Sequence, residues 1–166
     1  MTTSTYSSNL YSVDTSALID GLERYYPEEN FPGLWIKIEE LVDSGRFFCS
    51  EEVWQEARVY AAPVHDWCDR VGFSPLVVPT DLMIVQETQV ILGNHPLLTK
   101  SMKNKNRADP FVIALAKLKG AIVVTGEGSD GTATRPKIPY ICDLLNIRCV
   151  KLLDIIKMEH WRFGAL

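Results

Sequence analysis

Brief apolar runs alternate along the chain with longer stretches in which apolar residues recur every three or four positions. This alternation predicts strands followed by helices. The run Leu10-Tyr11-Ser12-Val13 predicts a short strand ending at Asp14, with a helix over residues 15–22. Pro32 suits the first turn of a helix in which Leu34, Trp35, Ile38, Leu41 and Val42 follow the i, i+3, i+4, i+7 spacing, and Gly45 stops it. Residues 46–49 predict a second strand. Ser50 then stands where it caps a helix carrying Val53, Trp54, Ala57 and Tyr60. Further helices are expected over 64–71 and 81–92, followed by a polar, basic stretch over 100–107. Asp109 and Pro110 read as N-cap and first position of a helix that runs to Lys119 and ends at Gly120. That helix is apolar nearly all round, which places it against more than one neighbour. A strand over 121–125, a glycine-rich loop over 126–137, a helix over 138–145, a strand over 147–152 and a helix over 154–161 complete the pattern.

Strands alternating with helices through short connections predict an α/β fold with a central, mostly parallel sheet flanked by helices. With 166 residues, 46% hydrophobic and 23% charged, the chain suits one domain, expected over 9–166 behind a fraying tail of residues 1–8. No stretch approaches the roughly 18–20 apolar residues of a membrane span, and the start lacks a secretory pattern, so a cytoplasmic protein is expected. Cys49, Cys68, Cys142 and Cys149 show no paired spacing, and two of them sit inside apolar runs that suit small buried thiols, so neither disulfides nor a zinc site is suggested. The net charge of −4 hides an asymmetry: residues 1–93 carry 15 acids and 5 bases, and 94–166 carry 6 acids and 12 bases.

Sites in an open parallel sheet form beyond the C-terminal ends of its strands. Asp14 ends the first predicted strand, Glu127 lies two residues past the strand over 121–125, Glu56 follows the strand over 46–49 by about one and a half helical turns, and Asp109 opens the central helix. Each has a bland reading as well. Asp14 suits a turn and Asp109 an N-cap, while Glu51 and Glu52 suit a helix dipole. Glu56 lies past the first turn and shares a face with Glu52, an unfavourable pair unless solvated or bound. Carboxylates gathered together raise one another's pKa and call for a cation, and hard oxygen donors select Mg2+ or Mn2+ over zinc. The string from Gly126 to Gly131 matches a dinucleotide-binding GxGxxG. Two prolines follow it instead of an apolar helix, and its acids repel phosphate, which speaks against that reading. His65, His95 and His160 have no ligand spacing, and Trp35, Trp54, Trp67 and Trp161 suit core or partner-facing positions.

The string Ser12-Val13-Asp14-Thr15-Ser16-Ala17-Leu18-Ile19-Asp20 resembles the opening of a PIN domain, the fold of VapC-type toxins and related Mg2+-dependent ribonucleases. Ser50 to Glu56 resembles the family's second motif, Ala108 to Ala116 the third and Val123 to Glu127 the fourth, in matching order over residues 9–153. Phe31-Pro32-Gly33-Leu34-Trp35 and Lys137-Ile138-Pro139-Tyr140-Ile141-Cys142 resemble an uncharacterised bacterial branch of PIN-like proteins. The fourth motif departs from the pattern: Glu127 stands where many members have Asp, and Gly128-Ser129-Asp130-Gly131 replaces the usual Asp or Asn with an aromatic. Either Glu127 or Asp130 completes the acidic set, Glu127 being nearer the strand end.

The resemblance implies a metal-dependent endoribonuclease, the toxin of a toxin–antitoxin pair. Asp14 and Asp109 would hold Mg2+, Glu56 and Glu127 would complete the pocket, and a water activated by the metal would attack phosphorus. Ser16 and Thr125 would orient the carboxylates. Lys103, Lys105 and Arg107, in a run whose bland reading is a solvated loop, would position phosphates. Expected partners are RNA, an antitoxin and a second copy of the chain, with exposed apolar residues at 25–35 and 161–163 as interface candidates. The alternative is a catalytically weak or inert RNA- or protein-binding module. A metal-dependent phosphatase is disfavoured, because Asp14-Thr15-Ser16 lacks the second Asp of the DxD signature.

Overall fold

The computed structural model describes residues 8–60, 62–99 and 107–164. The strands β1 (Tyr11–Val13), β2 (Phe47–Ser50), β3 (Val77–Val78), β4 (Ile122–Val124) and β5 (Cys149–Val150) form a parallel sheet in the order β3-β2-β1-β4-β5. The α-helices among the described residues are α1 (Thr15–Ile19), α2 (Pro32–Asp43), α3 (Glu51–Val59), α4 (Val64–Val71), α5 (Phe73–Leu76), α6 (Leu82–Asn94), α7 (Asp109–Lys119), α8 (Ile138–Leu144) and α9 (Leu152–Met158), with a π-helical segment, Asp20–Tyr25, continuing α1 and a 3-10 turn at Pro96–Leu98. None is long and apolar enough to cross a membrane. The expected α/β architecture with a flanked parallel sheet is what the chain adopts.

Chain order runs outward from β1 through β2 to β3 and then returns to β1's other side with β4. Such a reversal leaves a crevice beyond the C-terminal ends of the two central strands. α7 packs across β1, β2 and β4 and is covered by α6, which explains its nearly all-apolar sequence. Val112, Ile113, Ala114, Leu115 and Ala116 are all buried, and Ser12 Oγ on β1 donates to the Val112 carbonyl at 3.0 Å. Gly120 ends α7 in the left-handed conformation at φ +63°.

Other local signals act as the residues dictate. All five periodic positions of α2 are buried, and Ser50 Oγ accepts from the Val53 amide at 3.3 Å to cap α3. Trp35 and Trp67 meet edge to face in the core with ring centroids 5.4 Å apart, so Trp35 is no surface for a partner. Cys49, Cys68 and Cys142 are buried and unbridged.

Two readings are corrected. Asp109 is the first residue of α7, not its cap: Ala108 holds the cap position, and its methyl side chain makes no cap hydrogen bond. α9 begins two residues earlier than expected, because Asp154 Oδ2 accepts from the Lys151 amide at 2.9 Å and closes the first turn. α5 and β3 have too few residues to show a period.

Candidate active site

The register that sets Val13 beside Val124 brings the next residues, Asp14 and Thr125, out together at the crevice. The Asp14 amide donates to the Val124 carbonyl at 2.9 Å. The residue is only 4% exposed, and its Oδ2 accepts from Ser16 Oγ at 2.5 Å and from Thr125 Oγ1 at 3.0 Å. Each hydroxyl also accepts from the backbone just past β4, Ser16 from Gly126 N at 2.8 Å and Thr125 from Glu127 N at 3.1 Å. The start of α1 and the end of β4 are thus tied through one carboxylate, whose orientation is fixed.

Glu56 reaches the same region from α3. Its Oε2 accepts from Thr15 Oγ1 at 2.8 Å and its Oε1 from the Ala108 amide at 3.3 Å, so it links the beginnings of α1 and α7. Asp109 follows Ala108 and is also 4% exposed. Glu127 comes from the loop after β4, and its Oε2 accepts from the Ile138 amide at 2.7 Å, at the start of α8.

Electrostatics shows the four acids acting on one another. Burial, then the charges of Asp14, Glu127 and Glu56, push Asp109 up to about 9. Burial raises Asp14, while the Ser16 and Thr125 hydroxyls oppose the shift. Glu56 is raised by burial and by Asp14, against the pull of Thr15. Glu127 is raised by burial, with the Ile138 amide, Lys137 and Lys151 working against it. Asp130 stands apart: it is exposed, its carboxylate is held low by Lys137, and the ammonium lies 2.8 Å away. Of the two acids in that loop, the structure couples Glu127 to the cluster.

The donor set suits a hard divalent cation in kind, being four carboxylates whose charge is disfavoured by burial, with the ammonium groups of Lys137 and Lys151 acting on Glu127. The same residues stand farther apart than a closed ligand shell: among the described residues no three His, Cys, Asp or Glu side chains form a ligating group. Lys103 and Lys105 lie outside the described residues. Arg107 is exposed two residues before Asp109. From Gly126 the chain runs as a loop until α8 begins at Ile138, so no helix follows the glycines as a dinucleotide fingerprint requires.

Thr15 and Lys151 were not singled out by sequence reasoning. Lys151 follows β5, and its Nζ donates to the Glu127 carbonyl; the strand-end rule covers that position. Nothing local marks Thr15 as the partner of a glutamate forty-one residues away.

The model of a family described as a domain of unknown function (DUF4411) matches residues 11–163. No curated protein matches the chain.

Proposed function

The chain belongs to the DUF4411 family, a domain of unknown function, and from its site we propose that it is a cytoplasmic, PIN-like, metal-dependent endoribonuclease, the toxin of a toxin–antitoxin pair. The observation that carries this reading is Asp109, buried at the strand-order reversal beside three other carboxylates and raised to about 9 first by that burial and then by their charges. Burying clustered like charge is unfavourable unless something neutralises it. Asp14 and Asp109 would hold Mg2+, or Mn2+ in its place, and Glu56 and Glu127 would complete the pocket. The cation, when bound, supplies Lewis acidity for phosphodiester hydrolysis at neutral pH. Ser16 and Thr125 hold the Asp14 carboxylate in one orientation. Arg107, with Lys103 and Lys105, would position the RNA backbone. An antitoxin segment and a second copy of the chain are the protein partners this reading carries.

Cleavage of total RNA by the wild type, Asp14→Asn and Asp109→Asn, each with Mg2+ or chelator, tests it. Wild-type activity is expected to vanish in chelator and to fall by about 100-fold or more in either variant. Equal cleavage under all conditions removes the mechanism.

The spacing of the acids favours one other reading, an inert RNA- or protein-binding module, since no three of the described acids form a ligating group. That module would bind no divalent cation.

A further inference from the structure

On the β5 side of the carboxylates lies a cleft of ≈ 370 Å³, within the range of small-ligand sites, about 300–1,000 Å³. Thr125, which holds Asp14 by its hydroxyl, forms part of its wall, so the cleft and the acidic pocket share a partition one side chain thick. Its rim is unusual backbone. α1 passes without a break into a π-helical segment, Asp20–Tyr25, with the Tyr26 amide donating to the Gly21 carbonyl at 2.8 Å, five residues back. Such segments are rare and frequently mark functional sites.

Two glycines hold this arrangement together. A Cβ on Gly126 would stand 2.4 Å from Asp20 Oδ2 and 2.8 Å from the Ser16 carbonyl oxygen, a backbone atom with little room to move. A Cβ on Gly21 would stand 2.7 Å from Leu152 Cδ2 and 3.0 Å from the Trp35 ring. The close approach sets Asp20, Tyr25, Tyr26 and Lys151 around one opening. Tyr25 is 61% exposed and meets Tyr26 edge-on at 6.3 Å; Tyr26 in turn meets Phe31 edge-on at 5.5 Å. Asp20 Oδ1 accepts from Arg24 at 2.7 Å. Lys151 Nζ gives one of its three hydrogens to the Glu127 carbonyl and keeps two for a ligand.

We infer that this cleft is a base subsite, taking one nucleobase of an RNA strand beside the nucleotide whose phosphate meets the carboxylates. The base stacks on Tyr25, an exocyclic amine donates to the Asp20 carboxylate, and Lys151 meets the phosphate. An exposed aromatic face next to an acceptor and a cation is the chemistry by which unstacked bases are held. A carboxylate only accepts hydrogen bonds, so the subsite favours cytosine, adenine or guanine, whose exocyclic amine offers it a donor at the base edge, over uracil, whose one donor, the N3–H, is flanked by two carbonyl oxygens that repel the carboxylate. The placement beside a scissile phosphate rests on the nuclease reading; the binding does not.

Titration of CMP, UMP and cytidine into the full chain in metal-free buffer, followed by amide chemical shifts, tests the subsite. CMP is expected to bind more tightly than UMP and to shift the amides around residues 20–26 and 151. Tyr25→Ala, at an exposed position, is expected to weaken CMP by about tenfold. Asp20→Asn is expected to remove the preference over UMP, and Lys151→Gln to weaken CMP but not cytidine. Mg2+-dependent RNA cleavage, with nucleotide binding absent or unmoved by these substitutions, overturns the subsite and leaves the nuclease standing. Amine-selective binding that the substitutions abolish, in a chain that cuts no RNA, supports the subsite and overturns the nuclease.

Discussion

Asp109 has three carboxylates for electrostatic neighbours and almost no contact with water. Its pKa of about 9 in the folded chain lies far above the ordinary value of 3.8. The folded state therefore binds this proton more tightly than the unfolded state does. By linkage, the stabilising contribution is greatest at acid pH and is lost as pH rises from about 4 toward 9, with a slope of up to about 1.4 kcal/mol per pH unit for one proton. Urea unfolding of the metal-free protein between pH 5 and 9 is expected to show stability falling with pH. Asp109→Asn is expected to flatten the curve and to stabilise the chain at pH 8. A second residue-scale expectation separates the two loop acids. Glu127→Gln lowers RNA cleavage by about 10- to 100-fold, whereas Asp130→Asn, which loses only an exposed pair with Lys137, leaves it within about twofold of wild type.

Each acid is placed by the element that carries it. α3 delivers Glu56 and is started by Ser50. Ser50→Ala is expected to cost about 1 kcal/mol of stability, readable in urea unfolding, and a loss of less than about 0.3 kcal/mol would show that tertiary packing alone fixes the helix. α2, α3 and α7 were legible in the sequence because their apolar positions are numerous enough to declare a helix and their first turns are marked by Pro32, Ser50 and Pro110. The π-helical segment was not legible: within it Gly21 packs closely against Leu152 and Trp35, residues distant in sequence that no local pattern reveals. β3 has two residues and is defined by its pairing with β2. Asp109 shows the opposite case, a sequence signal for a cap that the fold uses otherwise, leaving its carboxylate to the cluster.

At the scale of the whole molecule, strand order does what sequence order cannot. β3-β2-β1-β4-β5 sets β1 beside β4, so acids from residues 14 and 56 meet acids from residues 109 and 127. The four candidate acids were legible because Asp14 and Glu127 lie just past strands, Asp109 opens a helix, and Glu56 shares a helix face with Glu52 beyond the first turn. The cleft beside them was not, because Asp20, Tyr25 and Lys151 converge only when β5 is placed next to β4. The acidic first part of the chain and the basic second part therefore do not divide the function between them, since each supplies two of the acids.

Whether that shared pocket takes a divalent cation is best read by calorimetric titration of Mn2+ at pH 8, in two buffers of different ionisation enthalpy. The account predicts saturable binding to the wild type with proton release, because a cation displaces the proton that Asp109 retains at that pH. Binding is predicted to be lost in Asp14→Asn and Asp109→Asn. A wild type that takes up no Mn2+ contradicts the account.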